Sequence, residues 1–272
     1  MIQSVNHLSL LPLYAAAGTA VLVLIADLAT GRRSWILGTT VLGGLATIAC
    51  AVAGGDAATF CTGGACSWVA SPLAVVMAIL FAGLTVGVAA LSAPALRLGT
   101  APAGEFCFLL SCAMTGGVVV GYAGDLITLI VGLETLTLPL YVLVGLRRFA
   151  RTEPVTTTGA SAAVTFFLVS VVSTTIALLG AGLLFAATGT LHLAGLTGGA
   201  GPFAPLATVG TALVVVGFAF KVAAVPLHAW APATYDGAPL PVAAYLSTAS
   251  KLGGVVALAA VVARLETGPL LA

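Results

Sequence analysis

Three ionisable side chains interrupt the long apolar stretches of this chain: Glu134, Lys221 and Lys251. An ionised side chain at mid-membrane depth costs at least ~2.5–3.5 kcal/mol, so such groups are typical of ion and proton pathways. The alternative is a buried ion pair that only holds helices together. Burial and a neighbouring opposite charge act on lysine ionisation in opposite directions, which lets a Glu–Lys pair exchange a proton at modest cost. We predict that these three groups form a proton relay.

The stretch after Lys221 predicts a broken helix. Pro226 removes a backbone donor and clashes with the preceding turn, and broken helices at membrane depth line hydrated cavities. His228 follows Lys221 by seven residues, so the two side chains share nearly the same face if the helix continues. This register makes His228 a fourth candidate for the relay. Pro139, five residues after Glu134, is expected to loosen its helix in the same way.

The remaining charges have simpler explanations. Asp27 is expected to pair with Arg32 or Arg33 near the membrane surface. Glu105 and Asp125 each stand where a helix is predicted to begin, and a carboxylate suits the positive end of a helix.

The sequence lacks the motifs by which most cofactors are bound. It contains no Walker motif, no Rossmann glycine pattern and no haem-type histidine pair, and its five cysteines lack metal-ligand spacing. We therefore expect no cofactor, no metal and no nucleic-acid partner. Cys61 and Cys66 share one loop, and the sequence is compatible either with a disulfide between them or with two free thiols.

The elements that must position these residues are membrane-spanning helices. Hydrophobic residues make up 60% of the chain and charged residues 6%, against about a quarter charged in soluble domains. Only helices or closed barrels can span a bilayer, so the prediction is an all-α, polytopic transmembrane bundle. The eight predicted spans are 8–28, 35–52, 72–91, 105–122, 126–146, 160–185, 206–227 and 242–262.

Arginine positions predict the orientation of these spans. The loops after the first, third and fifth spans carry six arginines, and only Arg264 falls on the opposite side. The positive-inside rule then places the arginine-rich loops in the cytoplasm and the N-terminus outside. Stretches of small residues, such as Gly116-Gly117 and 170–175, are interpreted as helix-packing surfaces. The six arginines are Arg32, Arg33, Arg97, Arg147, Arg148 and Arg151.

Several motifs together resemble a known family, the antiporter-like membrane subunit N of proton-pumping NADH:quinone oxidoreductase, or complex I. The run YDGAPLPV at 235–242 is the feature that separates subunit N from its paralogues. The other motifs are GEF at 104–106, DLITLIVGLE at 125–134, LPLYVL at 138–143, FK at 220–221, VPLHAWAP at 225–232 and STASK at 247–251.

The resemblance implies roles for the candidate residues. Glu134, Lys221, Lys251 and His228 match family positions that form one half-channel of a proton path. It also implies that this chain holds no redox centre, and that NADH, flavin, iron–sulfur clusters and quinone belong to partner subunits. The implied partners are the lipid bilayer and the other membrane subunits of complex I, in a bacterial inner membrane.

The chain departs from the family pattern in places. Thr165 stands where a helix 6 lysine is common, Ala233 replaces an aspartate, and Ser71 replaces another before the third span. Residues 1–100 match the flanking spans 1–3 and residues 101–272 match the first inverted repeat, spans 4–8, with the broken seventh helix. Without a second repeat, supplied by a longer gene product or a second polypeptide, Lys251 is expected to face lipid or a partner chain.

Two alternatives to a proton-translocating complex I subunit stay open. A subunit of a cation/proton antiporter or of a membrane-bound hydrogenase would use the same helices, although the 235–242 run favours subunit N. A truncated, non-pumping scaffold paralogue is favoured by Thr165 and by the missing repeat.

Overall fold

The computed structural model describes residues 5–99, 101–146, 158–196 and 202–265. Eight helical segments are long and apolar enough to cross a membrane, which confirms the predicted spans. Seven are single helices, and the eighth consists of α9 and α10 joined by the π-helical turn Leu246–Ser250. The helices are α1 Leu11–Thr30, α2 Arg33–Ala53, α3 Pro72–Leu98, α4 Ala103–Tyr122, α5 Leu126–Gly145, α6 Thr158–Thr188, α7 Ala204–Val222, α8 Trp230–Gly237, α9 Leu240–Tyr245 and α10 Lys251–Leu265.

Helices α4 and α5 form the centre of the bundle. Their most apolar windows are 67% and 61% buried, against 28% for α1 and α6. The two helices approach closely at Gly116, where an added Cβ would overlap the α5 backbone at Thr135 and Leu136. The predicted role of Gly116 in helix packing is confirmed, because only a residue without a side chain permits this contact.

Helix α7 breaks as predicted, although it ends four residues before Pro226. Ala223 adopts a left-handed conformation (φ 58°) just after the last helical residue. The Ala223 N–H donates to the Phe220 carbonyl (3.0 Å) and the Ala224 N–H to the Ala219 carbonyl (2.9 Å). This pattern is a Schellman cap, which satisfies the Ala219 and Phe220 carbonyls at the end of α7. By contrast, α5 continues as a helix through Pro139, so the expected loosening there is wrong.

A β-hairpin that the sequence did not predict joins α2 to α3, and it carries the Cys61–Cys66 disulfide that was one of the two open alternatives. Strands β1 (Ala58–Thr62) and β2 (Ala65–Val69) pair antiparallel, and Cys61 is bonded to Cys66. Trp68 is buried, stacks on Tyr122 and donates its indole N–H to the Ser9 carbonyl at 2.9 Å. The hairpin thus ties α1 and α4 together at one end of the bundle, called here the hairpin end.

The opposite end, called here the arginine end, carries Arg32, Arg33 and Arg97. Arg33 donates to the Arg97 carbonyl at 3.3 Å, and the Asp27 carboxylate lies against Gly104 at the start of α4. Within the described residues the ion pair is Lys221–Glu134, so the expected pairing of Asp27 with Arg32 or Arg33 is wrong. Gly104 has no side chain, which lets the positive end of α4 approach the carboxylate directly.

Three of the six arginines that predict the orientation have no described position. Arg147, Arg148 and Arg151 lie outside the described residues.

The Gly116 contact yields a stability prediction. Gly116→Ala should destabilise the bundle by about 1–3 kcal/mol, because the new Cβ must displace the α5 backbone. The matched control is Gly87→Ala on α3, where an added Cβ meets nothing within 4 Å. Thermal unfolding of the purified chain should show a lower midpoint for Gly116→Ala alone. Equal midpoints for the two variants would contradict this packing.

Candidate functional site

The site is built around an ion pair between two helices. Lys221 Nζ on α7 lies 2.5 Å from Glu134 Oε1 on α5, and the side chains are 7% and 24% exposed. Gly217 brings α7 close to α6, since a Cβ there would lie about 2.7 Å from the Ser173 carbonyl oxygen. Removing one partner of such a buried pair costs about 3–5 kcal/mol because the other charge stays buried. The structure brings together Glu134 and Lys221 as predicted.

Helix α6 supplies hydroxyl groups to both members of the pair. Ser170 Oγ accepts from Lys221 Nζ at 2.5 Å, and Thr174 Oγ1 donates to Glu134 Oε1. Residues four apart lie on one helical face, so both hydroxyls reach the pair together. Ser170 and Thr174 therefore take part in the site in addition to the helix packing predicted for 170–175. Their spacing was a usable signal in the sequence.

Tyr141 is a further site residue that sequence reasoning missed. Its hydroxyl donates to Ser170 Oγ and lies 3.2 Å from Thr137 Oγ1, whose own hydrogen goes to the Leu133 carbonyl. A phenol has one hydrogen, so Tyr141 can serve either acceptor but only one at a time. It follows Glu134 by seven residues and so lies on the same helical face, which was a second signal available in the sequence.

Lys251 points towards the end of α7. Its Nζ donates to the Lys221 carbonyl at 3.2 Å and lies 4.1 Å from the centre of the Trp230 ring. Gly254 permits this approach, because a Cβ there would come within about 3.0–3.2 Å of Val222 and the Lys221 backbone. The expectation that Lys251 faces lipid or a partner chain stays a prediction, because the residue is half-buried while its ammonium contacts the end of α7.

A small cavity lies beside Lys221, and Trp230 and Ser250 also line it. Its volume is about 10 Å³, which fits about one water molecule. Hydroxyl groups of Ser170, Ser173 and Ser250 line it beside Lys221. A water here would have several polar partners, which is the condition for occupancy. The arrangement therefore offers a proton route from Lys221 towards the start of α10.

The hairpin side of the ion pair is apolar by contrast. Leu133, directly before Glu134, and Phe218, three residues before Lys221, are 1% and 2% exposed and belong to one buried apolar cluster. Polar neighbours such as Thr137 and Tyr141 come after Glu134 on α5, on the arginine side. On α5, the polar neighbours of the pair therefore lie on its arginine side.

His228 is not brought to this cluster. Helix α7 ends at Val222, so a shared helical face with Lys221 does not exist, and His228 is exposed in the turn that follows. Its place in a relay stays a prediction without that geometric support. Thr165 lies roughly 140° around α6 from Ser170, at 100° per residue, so the two occupy different faces.

The charges assigned to helix ends behave as predicted. Asp125 caps α5, where its carboxylate accepts from the Thr128 N–H at 2.7 Å and from the Thr128 hydroxyl at 3.0 Å. Glu105 lies in the first turn of α4 and is exposed. Ser71 caps α3 by accepting from the Ala74 N–H at 3.2 Å, the task an aspartate would also perform. Over the described ranges, no three His, Cys, Asp or Glu side chains cluster as metal ligands would.

Family and sequence comparisons give consistent matches. The family model described as NADH:quinone oxidoreductase/Mrp antiporter, transmembrane, matches residues 123–268. NADH-quinone oxidoreductase subunit N of Salinispora tropica is 60% identical over 96% of this chain and 51% of its own length. NADH-quinone oxidoreductase subunit N 2 of Streptomyces griseus is 41% identical over 93% and 48%. The chain thus spans about half the length of these curated relatives.

Solved structures share the fold. A chain of respiratory complex I from Thermus thermophilus with bound aureothin superposes with a TM-score of 0.76 at 26% identity, covering 92% of this chain and 52% of that one. A chain of the Mrp complex from Dietzia sp. gives 0.77 at 23% identity, covering 95% and 49%. The second likeness, at this identity, shows the fold alone.

The hydroxyl contacts on α6 predict a difference between two neighbouring serines. Ser170→Ala removes an acceptor from a buried ammonium and should lower stability by about 1.5–3 kcal/mol. The control is Ser173→Ala, because Ser173 is equally buried but donates only to the Ser170 carbonyl. Thermal unfolding in detergent measures both. A larger loss for Ser173→Ala would argue against the Lys221–Ser170 contact.

Proposed function

The chain belongs to the NADH:quinone oxidoreductase/Mrp antiporter family of membrane proteins, and from that premise we propose that it acts as a proton-translocating membrane subunit of NADH:quinone oxidoreductase. One observation carries the proposal: Lys251 lies next to the buried Lys221–Glu134 pair and donates to the Lys221 carbonyl, and a small cavity beside Lys221 is lined by Ser250, the residue before Lys251. The redox chemistry belongs to partner subunits, which hold NADH, flavin, iron–sulfur clusters and quinone. The proposed partners are the other membrane subunits of that complex.

The proposed mechanism uses the competition between two acceptors for one ammonium. Lys221 donates both to the Glu134 carboxylate and to the neutral Ser170 hydroxyl. When Glu134 becomes protonated or moves away, the ammonium loses its countercharge while Ser170 keeps the side chain in place. A buried ammonium without a countercharge is unstable, so Lys221 gives up a proton, and Lys251 accepts it when Lys251 is in its neutral amine form. Return of the carboxylate then favours reprotonation of Lys221.

The alternatives have less support. For a cation/proton antiporter subunit, the Mrp complex offers fold similarity at 23% identity, whereas the relatives at 60% and 41% identity are named as subunit N. For a non-pumping scaffold, the loss of a lysine at Thr165 was the local argument. Ser170 and Thr174 weaken it, because they provide α6 groups at the pair without an extra charge.

We also propose an orientation in a bacterial cell membrane. Disulfides persist in oxidising compartments, which favours the hairpin end, with its Cys61–Cys66 bond, on the outer side. Arg32, Arg33 and Arg97 lie at the other end, which the positive-inside rule assigns to the cytoplasm. Two independent physical arguments therefore agree on the same orientation.

The pumping proposal predicts the effect of two substitutions. Glu134→Gln and Lys221→Ala, each in the assembled complex, should reduce the protons moved per NADH oxidised, because each removes one member of the switchable pair. Inverted membrane vesicles with a pH-sensitive dye measure this ratio. Glu105→Gln is the matched control, since its carboxylate is exposed at the start of α4. Wild-type pumping in both site variants would disprove the relay.

The orientation predicts which cysteines react from each side. After mild reduction, a membrane-impermeant maleimide should label Cys61 and Cys66 from the outer face of intact cells, and a Cys61→Ser/Cys66→Ser variant gives the background. In that background, Arg97→Cys should react only in inverted vesicles. The reverse pattern would show that the orientation is opposite.

A further inference from the structure

The broken end of α7 leaves backbone carbonyls that need donors from elsewhere. The Phe220 carbonyl accepts from the Trp230 indole N–H at 3.1 Å, in addition to the Ala223 N–H. The next carbonyl, of Lys221, accepts from Lys251 Nζ at 3.2 Å. Two side chains from the segments after the break therefore complete the helix end. One of them is a candidate proton carrier.

Lys251 and Trp230 also contact each other. The Lys251 Nζ lies 4.1 Å from the centroid of the Trp230 ring and 5.9 Å from that of Tyr235, both within the range of a cation–π interaction. Trp230 is 6% exposed and stacks on Phe166 at 5.0 Å with an interplanar angle of 12°. Phe166 of α6 thus packs against the Trp230 ring, and the Lys251 ammonium lies over the same ring.

No carboxylate balances the Lys251 charge in the part of the chain that the structure describes, where the ion pair is Lys221–Glu134. The groups that favour an ammonium at this position are the Lys221 carbonyl, the two aromatic faces and the negative end of the α7 dipole. Each acts only if Nζ stays within a few ångströms of the α7 terminus. Trp230 contributes to this twice, by capping the terminus and by contacting the ammonium.

We propose that Trp230 is a positioning residue for Lys251. Its indole N–H anchors it to the broken end of α7, and its ring face holds the Lys251 ammonium against the Lys221 carbonyl. The distance between the two lysines is thereby set by an aromatic side chain rather than by an acid. The importance of this distance for proton transfer rests on the proposed function, whereas the contact itself does not.

The contact can be tested by amine labelling, because Lys221 and Lys251 are the only lysines in the chain. The intact complex is treated with acetic anhydride, and modification of each lysine is measured by mass spectrometry. Trp230→Met keeps bulk but has no aromatic face, and should raise the rate of Lys251 modification about fivefold. Trp230→Phe keeps a ring face but loses the N–H donor to the Phe220 carbonyl, and should raise the rate of Lys251 modification by only about twofold.

Two internal standards accompany these variants. Lys221 is 7% exposed and should remain unmodified throughout, so that its modification would reveal a general opening of the site. Trp68→Phe at the hairpin end is the matched control, since Trp68 also donates its indole N–H to a carbonyl but lies away from both lysines. It should leave Lys251 modification unchanged.

Fluorinated tryptophan at position 230 covers the case in which Trp230→Met opens the site or fails to assemble. Successive fluorines weaken the ring face while keeping the shape and the N–H donor, so Lys251 modification should rise stepwise with fluorine number. A purely structural role would not respond to this series. Wild-type modification in Trp230→Met, or a flat fluorine series, would overturn the proposal.

Pumping measured on the same samples separates this inference from the proposed function. If Lys251 modification follows the ring face while Glu134→Gln and Lys221→Ala pump normally, the positioning role stands and the relay is wrong. If those two variants lose pumping while Lys251 modification ignores residue 230, the relay stands and the positioning role is wrong.

Discussion

The buried ammonium of Lys221 is the constraint on which the central part of this bundle depends. It is 7% exposed in a chain whose surroundings are apolar, so every stabilising partner must come from a neighbouring helix. Helix α5 supplies the Glu134 carboxylate and α6 supplies the Ser170 hydroxyl. The close approach of α6 and α7, which Gly217 permits, is what brings these groups within hydrogen-bond distance.

At the break in α7, the side chains that satisfy the free backbone carbonyls include a candidate proton carrier, Lys251. A helix that ends inside a membrane protein exposes carbonyls that water cannot reach freely, and each needs a donor. The Trp230 indole and the Lys251 ammonium meet that need at successive carbonyls. The same two contacts place Lys251 beside Lys221, so the helix break and the spacing of the two lysines have one physical cause.

The surroundings of the ion pair differ towards the two ends of the bundle. Buried Leu133 and Phe218 close the hairpin side, whereas hydroxyl groups and the small cavity lie towards the arginine side and α10. A buried polar network is costly unless its members are satisfied, and here the Tyr141 hydroxyl donates to either Ser170 or Thr137, while the Thr137 hydroxyl donates to the Leu133 carbonyl.

The sequence by itself determined the eight spans, the break after Lys221 and the charges inside the bilayer. These are local properties, because a long apolar run favours a membrane span, a proline disrupts a helix and a charge in the bilayer is costly, whichever residues lie nearby. Only the tertiary structure decided what those charges touch. A serine or tyrosine in a membrane helix can bond its own backbone or a distant charge, and Ser170 and Tyr141 became site residues because α5, α6 and α7 converge there. Asp27 does not pair with Arg32 or Arg33, and His228 does not share a helical face with Lys221. The reason is the same, since helix ends and helix contacts set the distances between side chains.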